Sequence, residues 1–67
     1  MIIFHERLKE LRKEKNLSQT ELAKELKVSQ RSISSWETGF RRPDFEMLEI
    51  LAKYFNVTTD YLLGVTD

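Results

Sequence analysis

The run Ser18-Gln19-Thr20-Glu21 constrains this chain more than any other stretch. A serine followed three residues later by glutamate is a capping box. The hydroxyl accepts from a backbone N–H in the first helical turn, and the carboxylate reaches back to the N–H of the serine. A helix is therefore predicted to open here, with Leu22, Ala23 and Leu26 as its apolar stripe. Lys27-Val28 interrupts it, and Ser29 can cap a third helix reaching about Glu37, where Thr38-Gly39 stops it. Two helices joined by so short a connection must cross steeply instead of lying side by side.

The remaining punctuation is also helical. Phe4, Leu8, Leu11 and Lys15 recur at helical spacing, and Asn16 can take the left-handed conformation that ends a helix. Phe40-Arg41-Arg42-Pro43 reads as a loop, after which Asp44 can cap a fourth helix extending through Phe55. Leu48, Leu51, Ala52 and Phe55 form its inner stripe. Asn56 ends it, Thr58 can cap a short fifth helix, and Gly64 closes that one. No internal repeat, low-complexity tract or strand-like alternation is present, and the β-prone Val57-Thr58-Thr59 is too short for a strand. The expectation is an all-α fold of five short helices, a single domain over residues 1–67.

Several function classes have little to work with. The chain has 67 residues and no cysteine, so neither disulfides nor thiolate-bound metal can staple so small a core. His5 is the only histidine and there is no glycine-rich phosphate loop, which leaves an enzyme or a metal site without its usual groups. His5 beside Glu6 reads as a surface pair near the start of the first helix. No cofactor, metal or small-molecule ligand is expected. Met1-Ile2-Ile3-Phe4 is too short for a signal-peptide core, and no run of about 18 apolar residues exists to span a membrane. A cytoplasmic protein is expected. The first helix does not read as a basic membrane binder, because Glu6, Glu10 and Glu14 offset its cations.

Net charge is zero, but its distribution is lopsided. Residues 1–43 hold ten Lys/Arg against six Glu, a balance of +4, and residues 44–67 hold one Lys against five acids, a balance of −4. One face is thereby suited to a polyanion. The third helix sharpens the point. Val28, Ile33 and Trp36 carry its apolar spacing, while Arg31, Ser34 and Ser35 lie opposite, with Gln30 at their edge. Lys and Glu would favour the helix and cover its surface better. Gln and Arg are instead the side chains that make bidentate contacts to adenine and guanine in a major groove, and serines keep the helix slim.

The segment "LSQTELAKELKVSQRSISSWETG" resembles the helix-turn-helix of Cro/C1-type (XRE-family) transcriptional repressors, and "RLKELRKEKN" and "RRPDFEMLEILAKYFNVTTDYLLG" are similar to the rest of that domain. The likeness covers roughly Leu8 to Gly64. It implies a compact five-helix, lambda-repressor-like domain whose second helix crosses the DNA backbone and whose third helix enters the major groove. By the resemblance, Gln30, Arg31 and Ser35 occupy base-reading positions, with Ser34 a further candidate. Gln19 matches a position that contacts phosphate and steadies the first base-reading residue, and Ser18 and Thr38 match further phosphate contacts. Arg41 and Arg42 fall where the family's loop follows the backbone, and Lys27 and Ser29 are additional phosphate candidates. Arg12 and Glu37 occupy the places of a structural ion pair that fixes the reading helix. Three positions depart from the family pattern: Lys27 replaces a usual glycine, Ser35 a longer reader, and Phe40 a frequent cation.

One helix-turn-helix reads only a few base pairs, so a homodimer on a two-fold operator in double-stranded DNA is expected. Met47, Ile50 and Tyr54 form a second apolar stripe on the fourth helix that could seal it together with Val57 or Tyr61. The rival is a protein-interaction module, an antitoxin or anti-repressor-like regulator, for which the acidic second half would also suit.

Overall fold

A computed structural model describes residues 3–65, and every regular element among them is helical. The helices are α1 (Phe4–Glu14), α2 (Gln19–Leu26), α3 (Gln30–Thr38), α4 (Phe45–Phe55) and α5 (Thr59–Leu63). The starts fall where the cap residues place them. Ser18, Ser29, Asp44 and Thr58 each adopt extended backbone, and each side chain accepts an N–H from the first turn. The box is closed at α2: Ser18 Oγ accepts from the Glu21 N–H at 3.0 Å, and the Ser18 N–H donates to Glu21 Oε1 at 2.8 Å. That backbone N–H, seconded by the Ser18 side chain, holds the Glu21 carboxyl below the usual glutamate range.

The ends are as local as the starts. Asn16, Lys27 and Asn56 take left-handed φ of 58°, 59° and 57°, as do Gly39 and Gly64 at 82° and 80°. Gly64 is required for space as well. A Cβ there would lie 2.5 Å from Ile3 Cγ1, so the chain end meets the N-terminal segment at a point only glycine allows. Lys27, between α2 and α3, lacks that excuse. A left-handed conformation costs a non-glycine residue about 1 kcal/mol. Lys27→Gly is therefore expected to raise unfolding stability by up to about 0.6 kcal/mol, the remainder being offset by glycine's greater unfolded-state freedom. Urea titration of the two proteins checks this, and a stability loss would show that the lysine stem contributes packing that outweighs the strain.

α3 packs against both α1 and α2, while α5 packs against α1 and α4. The core draws on every helix: Phe4, Leu8 and Leu11, then Leu22, Ala23 and Leu26, then Ile33 and Trp36, then Leu51, Ala52 and Phe55, and finally Leu62. Leu17, Val28, Met47, Leu48, Tyr54, Val57 and Tyr61 are half-buried around it. Ile33, Trp36 and Glu37 are the buried residues of α3 and fix its inner side, and Gln30 and Arg31 at its start are exposed. Among the described residues no helix is long and apolar enough to cross a membrane.

Candidate nucleic-acid interface

The outer side of α3 rests on a chain of hydrogen bonds that begins in the interior. Arg12 on α1 is buried and grips the carboxylate of buried Glu37 with both ends of its guanidinium, Nε to Oε2 at 2.6 Å and Nη2 to Oε1 at 3.0 Å. Its Nη1 donates to the Leu17 carbonyl at 2.7 Å, so the same side chain also secures the connection into α2. The hydrogen bond to Glu37 raises the Arg12 pKa, against the opposing effect of burial. Glu37 Oε1 accepts a further bond from Gln19 Nε2 at 3.1 Å, and Gln19 Oε1 in turn accepts from Gln30 Nε2 at 2.6 Å. Four side chains on three helices thus run from a buried ion pair to an exposed amide at the tip of α3. No buried side-chain polar atom among the described residues is left without a partner.

This arrangement has a definite chemical capacity. Gln30 spends one of its two amide hydrogens on Gln19. One N–H and its Oε1 remain, the donor–acceptor pair that adenine N7 and N6 require. Arg31 is exposed beside it, and Ser34 and Ser35 are half-buried. Arg31 and Ser35 line a shallow cleft with Arg41 and Phe40, which brings the loop after α3 alongside that helix. The Arg41 N–H donates to the Ser35 carbonyl at 3.2 Å, and its guanidinium lies 5.8 Å from the Phe40 ring centroid.

The phosphate candidates differ in what they have to offer. Ser18 uses an oxygen lone pair for its cap and keeps its hydroxyl proton, and exposed Lys27 and Arg42 present full charges. Ser29 Oγ caps α3 and shares a proton with Ser32 Oγ at 3.0 Å. The Thr38 hydroxyl already donates to the Ser35 carbonyl at 3.2 Å, so a phosphate would have to compete for it.

The apolar stripe on α4 is less outward than its spacing suggests. Met47, Tyr54, Val57 and Tyr61 pack against the core, and two of them are engaged within the chain. Tyr54 Oη bonds Glu25 at 3.4 Å and its ring lies under Lys15, while Tyr61 lies under the Arg7 guanidinium at 4.1 Å and accepts Arg7 Nη1 on its carbonyl. Burial, seconded by Glu25, pushes the Tyr54 phenol pKa up. Ile50 alone of the five is exposed, and only by about half, at 46%. Phe45, Phe40 and Val65 are more exposed, and Leu63 is exposed to a similar degree. Phe45 and Leu63 flank an apolar groove with Phe4, Pro43 and Leu48. Phe45 sits at the first position of α4, where a helical period does not yet assign a face, so the sequence pattern passed over it.

His5 does not stand out as a surface pair: it is half-buried against the end of α3. Among the described residues, no group of three or more His, Cys, Asp or Glu is placed to hold a metal ion.

A five-helix domain whose second and third helices are joined by three residues, with an amide and a guanidinium on the outer face of the third, is a helix-turn-helix DNA-binding domain. The family model described as "Helix-turn-helix" matches residues 8–62, and the chain belongs to this XRE-type helix-turn-helix family of transcriptional regulators, which are not enzymes. It is 48% identical over 61 residues to the HTH-type transcriptional activator BcrR of Enterococcus faecalis, covering 91% of this chain and 30% of that protein. It is 41% identical over 58 residues to the HTH-type transcriptional regulator ImmR of Bacillus subtilis, covering 87% and 46%. Among solved structures, a transcriptional regulator from Listeria innocua superimposes with a TM-score of 0.90 at 34% identity, over all of this chain and 63% of that one. A LexA SOS-response transcriptional repressor from Eubacterium rectale gives 0.85 at 31% identity, over 91% of this chain and 65% of that one. The chain thus spans only part of the length of each of these relatives.

Proposed function

We propose that this chain binds a near-palindromic operator in double-stranded DNA as a homodimer, with α3 in the major groove, and represses transcription by occupying DNA that polymerase needs. The carrying observation is the hydrogen-bonded chain from Arg12 through Glu37 and Gln19 to Gln30, which holds a base-reading amide in one orientation. Gln30 and Arg31 read bases; Ser34 and Ser35 give width clearance and secondary contacts. Ser18, Gln19, Lys27, Ser29, Thr38, Arg41 and Arg42 follow the phosphates. The N-terminus of α2 adds free N–H groups and partial positive charge. Ile50, with half-buried Met47, Tyr54, Val57 and Tyr61, supplies the pairing surface. Half-sites then lie about 34 Å apart. Action in the cytoplasm follows from this reading. The sign of regulation is open to a direct test, since one relative is named an activator and another a repressor. An operator placed over a reporter promoter should lower expression when the protein is supplied, and a rise would assign activation.

Selection from random duplex DNA with the purified protein tests the whole reading. Enrichment of an inverted repeat is expected. No enrichment would favour the protein-interaction module, in which Ile50→Asp abolishes partner binding and Arg31→Ala leaves it intact. On the selected operator, Arg31→Ala is expected to cost about 1–3 kcal/mol and relax base preference at one position per half-site. Arg41→Ala should weaken selected and unrelated duplexes alike. Binding of both variants at parental strength would overturn these assignments.

A further inference from the structure

A second cleft opens between the start of α1 and the end of α3, adjoining the base-reading face at Trp36 and Arg41. His5, Thr38, Gly39, Arg41 and Arg42 line it beside Trp36, within a volume of about 250 Å³. Arg41, Arg42 and His5 all line it, and no carboxylate does. Two arginines lining a cleft without a carboxylate among its walls favour an anion there. The imidazole is seated, not loose. At Gly39, where φ is 82°, a Cβ would lie 3.6 Å from His5 Nδ1, 3.7 Å from Cγ and 3.9 Å from Cε1. The ring therefore rests that edge near the glycine, with Nε2 farther away. The His5 imidazole makes no hydrogen bond to any described residue, while the Thr38 hydroxyl proton is committed to Ser35. On that side of the cleft the imidazole is the donor still open to a ligand.

We propose that His5, with Arg41 and Arg42, forms a seat for one backbone phosphate of DNA, so that α1 contributes a contact of its own to the interface. The inference rests on the DNA-binding reading and adds a residue that neither the helix-turn-helix motif nor the charge pattern singles out. The seat takes a phosphodiester, whose two unesterified oxygens can accept from the imidazole and a guanidinium at once.

The test is a scan of the selected operator in which one phosphate at a time is replaced by a neutral methylphosphonate. The parent should lose about threefold to tenfold in affinity at one phosphate facing the α1–α3 junction, the scale of a single charge-assisted hydrogen bond. His5→Ala should lower affinity for the unmodified operator by a similar factor and reduce that one loss to the share the arginines supply, leaving the others in place. His5→Gln, which keeps an N–H, should restore part of the sensitivity. Far-ultraviolet circular dichroism of each variant confirms that the helices are retained. If His5→Ala leaves the methylphosphonate profile unchanged, the proposal is overturned, whatever its effect on affinity. If inorganic phosphate alone shifts the His5 ring resonances while no methylphosphonate effect depends on His5, the seat is one for a free anion and the DNA assignment fails. If the parent binds no duplex at all, the DNA-binding reading itself falls, and that result is distinct from the loss of one contact.

Discussion

Glu37→Ala is expected to remove about 3–5 kcal/mol of stability, the penalty for stripping one partner from a buried ion pair. The side chains of Arg12 and Glu37 are only 10% and 2% exposed, so water cannot take the place of the missing carboxylate. Arg12 would keep its bond to the Leu17 carbonyl and lose both bonds to Glu37. A chain of 67 residues has a total stability of only about 3–10 kcal/mol at typical per-residue values. The loss is therefore between about a third of the total and all of it, and the variant should unfold at a much lower urea concentration or be unfolded without any. Urea titration followed by the fluorescence of Trp36, the single tryptophan and a buried residue of α3, reads this directly. Arg12→Met with Glu37→Met provides the contrast. Replacing a buried pair by apolar groups of similar volume is often neutral, so much of the stability should return. Operator affinity should not return with it, because Gln19 loses its acceptor on Glu37 and Gln30 loses a fixed partner. Recovery of stability and affinity together would show that the pair has no orienting role, and a cost below about 1 kcal/mol for Glu37→Ala would show that it has no structural one either.

What could be read from the sequence was what depends on neighbours a few residues apart. Ser18 with Glu21, then Ser29, Asp44 and Thr58 at the starts, and Asn16, Gly39, Asn56 and Gly64 at the ends, each act within one turn of backbone. For that reason the five helices and their stripes were legible to within a residue or so. What residue spacing by itself does not carry joins distant positions. Arg12 and Glu37 stand 25 residues apart and Arg7 and Tyr61 stand 54 apart, so only a likeness to a known domain could suggest any such pairing. The same holds for Tyr54, whose place in the apolar stripe gave no sign of its engagement with Glu25 and Lys15. Helical periodicity counts apolar residues on a face without saying what covers that face. It therefore overstated the exposure of Met47 and Tyr54 and missed that of Phe45 and Leu63. His5 escaped for a related reason. Its surroundings are set by where α3 ends, not by the glutamate next to it.

Operator affinity is expected to fall by about a thousandfold between 50 and 200 mM salt. Lys27, Arg41 and Arg42 are exposed cations proposed to face phosphates, which makes six in the proposed dimer. Each neutralised phosphate releases condensed counterions, so six of them give a slope of log K against log salt of about −5. Symmetry makes the dimer visible in the same measurement. Arg42→Ala removes two cations per complex and should reduce the slope by about 2, whereas in a monomer it would remove about 1. Ile50→Asp places a carboxylate on the exposed apolar residue of α4. If that residue lies in the pairing surface, the variant binds as a monomer, with a slope of about −3 and a much weaker affinity. A parent slope near −3 that Ile50→Asp leaves unchanged would overturn the dimer, and a flat profile would overturn DNA as the partner. The zero net charge of the chain sharpens the comparison. Counterion release reports the cations that meet phosphates, so a steep slope from a neutral protein can come only from charge concentrated on one face.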